Sequence, residues 1–260
     1  MNILTFDIED WFHTHENRKQ YSGHIWDKLP SKVEANTRRI LDMLEKRDLK
    51  ATFFILGWVA RKHPRLVRDI RSKGHEIAAH SYWHHNPRLL KKEDFEKDVR
   101  LCLDVLEDVT GEKVIAYRAP GFNIGAEDCW ALEILAANGI RIDSSVKLNK
   151  KPGKIPYTIK VNDGEIIELP QITTKVGIPF SGGGFFRAIP GALLNFLFNK
   201  DEYHLLYFHP RDFDPENPKT NLFSFYRNMM NTVNTGGCMQ KLENFLDHNK
   251  TVTLYEAAGI

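Results

Sequence analysis

The chain has 260 residues, of which 42% are hydrophobic and 27% are charged, and this composition excludes a disordered or fibrous protein. A formal net charge of +2 is too balanced for a protein that binds polyphosphates mainly by counterion release, so we expect no nucleic-acid partner. The three cysteines form no C-x-x-C motif and are expected to be reduced thiols. No secretory signal opens the sequence, and no segment approaches the roughly 18 apolar residues that span a bilayer. These features predict a cytoplasmic protein without a transmembrane segment.

Short apolar runs rich in β-forming residues alternate with longer segments of helical periodicity, a pattern typical of repeated βα units. The predicted strands span residues 3–7, 51–56, 76–80, 114–119, 140–143, 166–169, 205–209 and 251–254. Four successive βα units indicate a mostly parallel sheet, and about 250 residues is the size of one α/β barrel. We therefore expect an α/β fold: a single distorted, TIM-like (β/α) barrel domain over residues 1–260, with seven or eight strands.

Several helix boundaries carry their own signals. Ser31 and Glu34 have the spacing of a capping box, in which each side chain binds a free backbone amide of the first turn. Pro64 suits the first turn of the next helix, which Gly74 can end in a left-handed conformation. Three consecutive glycines at positions 182–184 are expected to be the most flexible point of the chain.

Unusual polar residues stand at or next to the carboxyl ends of five predicted strands. They are Asp7, His80, Arg118, Asp143 and His209. One such residue would more often be a loop cap, but the carboxyl ends of parallel barrel strands meet at a single face, where enzymes of this fold carry their chemistry. We therefore expect these five side chains to form one functional site.

A metal site is predicted within this group. His80 and His84 are four residues apart, so a tight loop or a helical turn can direct both imidazoles at one ion. Two histidines need an anionic third ligand and an open position for water, and the acidic segment after the first strand supplies carboxylates. We expect one divalent metal ion, with Zn²⁺ as the first choice and Co, Ni or Fe as alternatives.

Five short motifs, in chain order, resemble those of the carbohydrate esterase family 4 polysaccharide deacetylases, whose shared unit is the NodB homology domain. The motifs are Thr5-Phe6-Asp7, His80-Ser81-Tyr82-Trp83-His84, Arg118-Ala119-Pro120-Gly121, Asp143-Ser144-Ser145 and Leu205-Leu206-Tyr207-Phe208-His209-Pro210. The resemblance extends from residue 5 to about residue 214. A bacterial subgroup linked to exopolysaccharide and surface-polysaccharide gene clusters is closer still, through DIEDWF at 7–12, GGGFFR at 182–187 and FHPRDFDP at 208–215.

The first motif departs from the family pattern. Two adjacent aspartates, the base and then a metal ligand, are usual there, but here Ile8 follows Asp7. Because side chains alternate along a strand, Glu9 shares a face with Asp7, whereas Asp10 reaches the ion only if the chain has already turned. Glu9 is the preferred third ligand, and Asp10 stays as the alternative.

Amide hydrolysis requires an activated water, stabilisation of the oxyanion and a proton for the leaving amine. Asp7 is the expected general base, with Arg118 holding its carboxylate ionised and oriented. His209 is the expected acid that protonates the leaving nitrogen. The resemblance implies that Asp143 is the carboxylate partner of His209. Five aromatic residues could form a sugar-stacking groove, although packing is their commoner role: Trp11, Tyr82, Trp83, Phe122 and Phe186.

The resemblance implies a metal-dependent enzyme that removes an acetyl or formyl group from an amino sugar during synthesis of exopolysaccharide, O-antigen or another surface polysaccharide. The expected partner is a carbohydrate substrate, either a nucleotide- or lipid-linked amino sugar or a polysaccharide. Two alternatives stay open. One is an amidohydrolase of the same fold that acts on a small cyclic amide or ureide, and the other is an inactive carbohydrate-binding barrel.

Overall fold

The computed structural model describes residues 1–13, 23–125, 127–149, 153–162, 164–173, 181–191, 193–194, 198, 202–218 and 225–260. The described strands are β1 (Asn2–Ile8), β2 (Thr52–Ile55), β3 (Glu76–Ala79), β4 (Ala116–Tyr117), β5 (Ile142–Asp143), β6 (Lys147–Leu148), β7 (Tyr157–Val161), β8 (Gly164–Glu168), β9 (Gln171–Ile172), β10 (His204–Phe208) and β11 (Thr251–Val252). The described helices are α1 (Gly23–Trp26), α2 (Val33–Glu45), α3 (Gly57–Lys62), α4 (Pro64–Ser72), α5 (Lys92–Thr110), α6 (Cys129–Ala137), α7 (Gly183–Ala188), α8 (Phe225–Thr232), α9 (Thr235–His248) and α10 (Leu254–Ala258). Short 3-10 turns lie at Pro87–Leu89 and Pro210–Phe213. Within these ranges, none of the helices combines the length and the hydropathy needed to cross a bilayer.

One curled sheet contains most of the strands, in the order β10-β1-β2-β3-β4-β5-β8-β7, with β11 beside the start of β1. Every pairing in it is parallel except the β7–β8 hairpin. Within the described ranges, the two edge strands β10 and β7 do not pair with each other, so the described strands form an open barrel. The predicted α/β barrel fold is confirmed, and each of the eight predicted strands is present. The sequence did not predict β7, because its residues alternate between half-buried and exposed and form no apolar run.

The alternation of β1 separates two apolar clusters. Leu4, Phe6 and Ile8 belong to the larger cluster, which includes buried residues of the flanking helices. Ile3 belongs to the smaller cluster, together with residues from β2, β3, β4, β5 and β10, which identifies it as the interior of the curled sheet. Because side chains alternate along a strand, Asp7 lies on the same face as Ile3, at the carboxyl end of that interior.

The position of β10 explains how distant parts of the sequence meet. In the β1–β10 pair, Phe6 lies opposite Phe208, so Asp7 and His209 are the next residues along neighbouring parallel strands. Those two residues are 202 positions apart in sequence. The parallel register therefore brings the first and the fifth of the predicted motifs together.

The expected capping box of α2 is wrong. Lys32 is the N-cap residue, and the amides of Lys32 and Val33 donate to Asp10 Oδ2 over 3.0 and 3.2 Å. Glu34 instead accepts from Arg38 at 2.8 Å. A buried carboxylate at the positive end of the helix thus replaces the local box. The other signals are confirmed, since Pro64 begins α4 and Gly74 has a φ of +80°.

We predict an acid-sensitive contribution to stability from His75, which is 2% exposed and packs on Phe53 before β3. Burial, with smaller effects from Lys50 and Lys73, lowers the pKa of His75 to about 4, against about 6.5 when unfolded. The unfolded chain therefore binds the proton first, so stability is full above pH 6.5 and falls as the pH decreases toward 4, by at most about 3 kcal/mol.

Urea unfolding between pH 4 and 7.5, with a chelator present throughout, measures this slope. His75→Gln should flatten it relative to the unsubstituted protein, while the exposed His248→Gln serves as the matched control. Parallel curves for the unsubstituted protein and His75→Gln would contradict the assignment.

Candidate active site

The loops at the carboxyl ends of β1, β3, β4 and β10 surround a cavity of about 200 Å³. The residues that line it are Asp7, Glu9, His13, His84, Gly121, Phe122, Lys147, Tyr207, His209, Arg211 and Asn231. Another cavity, of about 170 Å³, lies at the amino ends of the strands beside Gly74 and Tyr255 and contains none of the candidate residues. The described geometry therefore places the candidate site at the carboxyl end of the sheet.

A buried ion pair forms the base of the site. Arg118 is fully buried, and its Nη1 donates to Asp7 Oδ1 over 2.6 Å and to Thr5 Oγ1 over 2.9 Å. Its guanidinium also stacks on the Phe54 ring, with 3.8 Å from Cζ to the ring centroid. Since Arg118 is the only hydrogen-bond partner of the Asp7 side chain among the described residues, one carboxylate oxygen of Asp7 is left to face the cavity.

The Asp143-Ser144-Ser145 motif supports this pair from beneath. Ser144 Oγ accepts from Arg118 Nη2 at 3.1 Å, and Ser145 Oγ accepts from the Ala119 amide at 2.7 Å while donating to Asp143 Oδ1 at 2.6 Å. Burial raises the pKa of Asp143, which faces Glu168 on β8. The motif thus fixes the segment that carries Arg118.

The expected pairing of Asp143 with His209 is wrong. Among the described residues, the carboxylates within ion-pair distance of His209 are Glu9 and Asp212. Asp212 Oδ2 accepts from the His209 backbone amide at 2.7 Å and lies 3.3 Å from its Nδ1. The cause is local: Pro210 begins a 3-10 turn, which folds the third residue after His209 back onto it. The H-P-x-D spacing was the available sequence signal for Asp212.

Opposing effects set the pKa of His209. Burial and the Arg211 charge lower it, but the carboxylates of Glu9 and Asp212 outweigh them and raise the pKa to about 9. Asp212 is held in turn by Arg187, whose Nη2 donates to Asp212 Oδ1 at 2.9 Å. The pKa of Asp212 is well below its usual range because these cations overcome the effect of its burial.

Glu9, His80 and His84 form a three-residue group whose ligand atoms all lie within 4.8 Å of one another. His80 Nε2 is 3.7 Å from Glu9 Oε1, and His84 Nε2 is 3.3 Å from Glu9 Oε2. Burial would raise the pKa of Glu9, but the charges of His84, Arg211 and His209 bring it well below its ordinary value. Glu9 is therefore an ionised carboxylate between imidazoles.

The hydrogen bonding of His80 tests whether this group fits a cation. His80 Nδ1 donates to the Arg118 carbonyl at 2.8 Å, so the neutral ring carries no proton on Nε2. That Nε2 is buried, has no hydrogen-bond partner among the described residues and faces the Glu9 carboxylate, which also offers only lone pairs. A divalent cation between them would satisfy both atoms, and two imidazoles with one carboxylate and an open position are ligands that zinc accepts.

Asp10, the alternative ligand, does not join this group. Its Oδ2 accepts the two α2 amides described above, and its Oδ1 accepts from the Trp11 amide at 2.9 Å. Both carboxylate oxygens of Asp10 therefore accept hydrogen bonds from backbone amides. Glu9 is the carboxylate that the structure places beside His80 and His84.

The loop between the two histidines has a strained backbone held by a residue that the sequence did not reveal. Ser81 and His84 have positive φ values of 66° and 56°. Asp98 of α5 accepts from the Tyr82 and Trp83 amides at 2.9 and 3.0 Å, which fixes the loop. No sequence signal points to Asp98, because it stands on the buried face of an ordinary amphipathic helix.

The glycines expected to be flexible begin α7 and allow close packing. A Cβ on Gly183 would lie 2.5 Å from Asp212 Cγ, and one on Gly182 would overlap the Tyr207 ring. Of the five candidate stacking aromatics, Phe122 lines the cavity. Trp11, Tyr82 and Phe186 are buried in the core, and Trp83 packs against it.

Comparison with known families agrees with this geometry. Residues 14–141 match the model described as polysaccharide deacetylase, and residues 144–258 match a domain of unknown function, DUF3473. The chain carries a polysaccharide deacetylase domain. The predicted resemblance to the polysaccharide deacetylase family is thereby confirmed, while the matches specify no subgroup within it.

Two curated relatives and one solved structure are similar to this chain. It is 35% identical to a Bacillus cereus peptidoglycan-N-acetylglucosamine deacetylase over 75 residues, or 29% of this chain and 27% of that protein. It is 28% identical to a Helicobacter pylori peptidoglycan deacetylase over 130 residues, or 50% and 42%. A solved Mycobacterium smegmatis protein, assigned provisionally as a polysaccharide deacetylase, has 20% identity and a TM-score of 0.66, with 99% of this chain and 88% of that one covered. The matches to the two curated relatives thus span less than half of those proteins, and the third likeness concerns the fold.

The candidate site takes residues from both matched segments. His80, His84 and Arg118 lie in the polysaccharide deacetylase match, whereas His209, Asp212 and Arg187 lie in the DUF3473 match. Strands of both segments pair within one sheet, and β10 of the second contacts β1 directly. The second segment therefore supplies the His209 side of the candidate cavity.

We predict that Glu9 and Asp10 separate metal binding from stability. Glu9→Gln should lower the affinity for Zn²⁺ by at least tenfold because the anionic ligand is lost. Asp10→Ala should leave that affinity within about twofold and lower the free energy of unfolding by about 1–2 kcal/mol through the lost α2 cap. Competition with a chromophoric chelator and urea unfolding measure the two effects, and a loss of zinc affinity in Asp10→Ala would reverse the assignment.

We also predict that Gly183 is required to position Asp212. Gly183→Ala should reduce deacetylase activity and stability together, because its Cβ displaces the carboxylate that orients His209. Gly184→Ala is the matched control, since its Cβ would be 3.3 Å from the flexible end of the Met230 side chain and in ordinary contact with the Met230 carbonyl and Arg187 Nη2, 3.5 and 3.9 Å away. Steady-state rates and thermal unfolding of both variants test this, and equal effects from the two substitutions would refute it.

Proposed function

We propose that this chain is a metal-dependent N-deacylase that removes an acetyl or formyl group from an amino sugar used in surface-polysaccharide synthesis. The observation that carries the proposal is the grouping of Asp7, Glu9 and His209, whose ligand atoms lie within 4.8 Å of one another beside His80 and His84. A base, an acid and a cation-binding group thus border one cavity. That is the set of functions that amide hydrolysis requires.

Asp7 acts as the general base. Its Oδ1 is fixed by Arg118, so its remaining oxygen can accept a proton from the attacking water. Arg118 has no exposed surface, and its ion pair holds the Asp7 carboxylate in one orientation. General-base assistance of this kind contributes about 10²- to 10⁴-fold in rate.

Glu9, His80 and His84 would hold the divalent cation, which supplies Lewis-acid polarisation of the acyl carbonyl and lowers the pKa of water. The Arg118 carbonyl and the Asp98 carboxylate keep these ligands in place through His80 Nδ1 and the loop amides. Arg118 therefore has two roles: its side chain orients the base and its backbone orients a ligand.

His209 donates the proton to the leaving nitrogen. Asp212 holds its Nδ1 side, so Nε2 is directed toward Glu9 and the cavity. The proton then leaves with the free amine, and acetate or formate carries the oxygen of the attacking water. Asp7 therefore accepts a proton from the attacking water, and His209 donates a proton to the nitrogen of the amide bond that is cleaved.

An amino sugar is the substrate class that the relatives and the cavity walls support. The Bacillus cereus relative is named for N-acetylglucosamine deacetylation. Phe122 and Tyr207 border the cavity with ring centroids 4.9 Å apart, edge to face, and such aromatic surfaces suit the apolar faces of sugar rings.

The test is release of acetate or formate from N-acyl amino sugars. The panel comprises chitooligosaccharides, peptidoglycan fragments, UDP-N-acetylglucosamine, its N-formyl analogue and a cyclic ureide. Activity should require added Zn²⁺ or Co²⁺, and Asp7→Asn should lower it by at least 100-fold with metal content preserved. Because the substitution leaves Arg118 without its carboxylate, the rates are compared at a temperature where the variant is still folded. The exposed Asp104→Asn is the control and should keep full activity.

Each alternative has its own outcome. Opening of the ureide without release from any sugar would assign the site to amidohydrolysis of a small ring. Sugar binding without turnover of any substrate would indicate an inactive binding barrel. Unchanged activity in Asp7→Asn would remove Asp7 as the base.

A further inference from the structure

Two cations line the cavity with little or no pairing to its carboxylates. Lys147 on β6 and Arg211 on the 3-10 turn after β10 both line it, together with Asn231 of α8. The described carboxylates leave Lys147 without an ion pair; its ammonium makes a long 3.4 Å contact with the Gly121 carbonyl and lies 5.9 Å from the centroid of the Phe122 ring. Arg211 gives one N–H to Glu9 at 3.2 Å, and its other N–H groups have no hydrogen-bond partner among the described residues.

The other cations near the site differ from this pair. Arg118 and Arg187 are buried, and each is neutralised by its own carboxylate, Asp7 and Asp212 respectively. Burial lowers the pKa of Lys147, and no carboxylate opposes that effect. Among the described residues, Lys147 is therefore a cation without an ion pair, whereas Arg211 is paired with Glu9 through one N–H and directs its remaining N–H groups at no protein acceptor.

Arg211 also stands where two cavities meet. A neighbouring cavity of about 290 Å³ shares Tyr207, His209, Arg211 and Asn231 with the first one, and extends along Gly182, Gly183 and Gly184. A sugar held against Phe122 would thus have its neighbouring substituent within reach of a cation on either side. Guanidinium and ammonium groups bind phosphate and carboxylate by charge-assisted hydrogen bonds, and a neutral glycan offers neither anion.

We propose that the substrate of this site carries an anionic group, a phosphate or a carboxylate, which Lys147 and Arg211 bind next to the N-acyl amino sugar. The identity of the sugar rests on the function proposed above, whereas the anion preference rests on these two cations. A sugar phosphate and an acidic sugar share this chemistry. The arms of the experiment distinguish them.

Binding is measured by calorimetry on the metal-loaded Asp7→Asn protein, so that no probe is consumed. The probes are N-acetylglucosamine, N-acetylglucosamine 1-phosphate and N-acetylmuramic acid, which carries a carboxylate. We expect at least one anionic probe to bind about tenfold more tightly than the neutral sugar, with the advantage reduced by high salt. The tighter of the two anionic probes assigns the anion.

Lys147→Met in the same background decides whether the chain's own cation is responsible, because an affinity of the metal for the anion is common to both proteins. This substitution should remove most of the preference, while the exposed Lys97→Met on α5 should keep it. A preference that survives Lys147→Met, or equal affinity for neutral and anionic probes, overturns the inference. Failure of every deacylation assay with an intact, Lys147-dependent preference would reject the proposed reaction but keep the anion site.

Discussion

The structure depends on a guanidinium placed where water cannot reach it. Arg118 has no exposed surface, and a buried charge is tolerated only when it is paired and hydrogen-bonded. Asp7, Thr5 and Ser144 supply those bonds from β1 and the segment after β5, and Phe54 of β2 supplies a ring face. Removing one partner of such a pair typically costs about 3–5 kcal/mol, so the ends of these strands are tied to one arrangement. The same arrangement orients the carboxylate that faces the cavity.

Topology then determines which residues can share this environment. Because β10 pairs with β1 in parallel, the second matched segment delivers His209 beside Asp7, and the turn at Pro210 delivers Asp212 beside His209. Gly183 completes the arrangement by letting the backbone of α7 approach the Asp212 carboxylate. A segment described only as a domain of unknown function therefore holds half of the candidate chemistry. Together with Asp7 and Glu9, which precede both matches, the two segments form a single candidate site.

The sequence predicts features that repeat along the chain, such as strands. It does not predict the role of a residue when that role depends on a single tertiary contact. Strand periodicity and the parallel rule located all eight predicted strands and brought Asp7, His80, Arg118 and His209 to one end of the sheet. The roles of Asp10, Asp98 and Asp212 depend on which distant amide or imidazole each carboxylate meets, and no period encodes that. Ser31 and Glu34 had the right spacing for a cap, but Asp10 arrives from another loop and binds the same amides. A local capping motif therefore fails to predict the cap when a residue from another loop binds the same backbone amides.

Two of the imidazoles beside Glu9, those of His80 and His209, show how a partner on one ring nitrogen decides the chemistry of the other. His80 Nδ1 donates to the neutral Arg118 carbonyl, so its Nε2 keeps a lone pair suited to a cation. His209 Nδ1 faces the Asp212 carboxylate, which makes the ring more basic and favours a proton on Nε2. Both Nε2 atoms lie within 4 Å of Glu9 Oε1, so proximity to Glu9 alone could not distinguish ligand from acid. The distinction comes from the group that contacts Nδ1 of each ring. For His80 it is the Arg118 carbonyl, which leaves a lone pair on Nε2, and for His209 it is the Asp212 carboxylate, which favours a proton there.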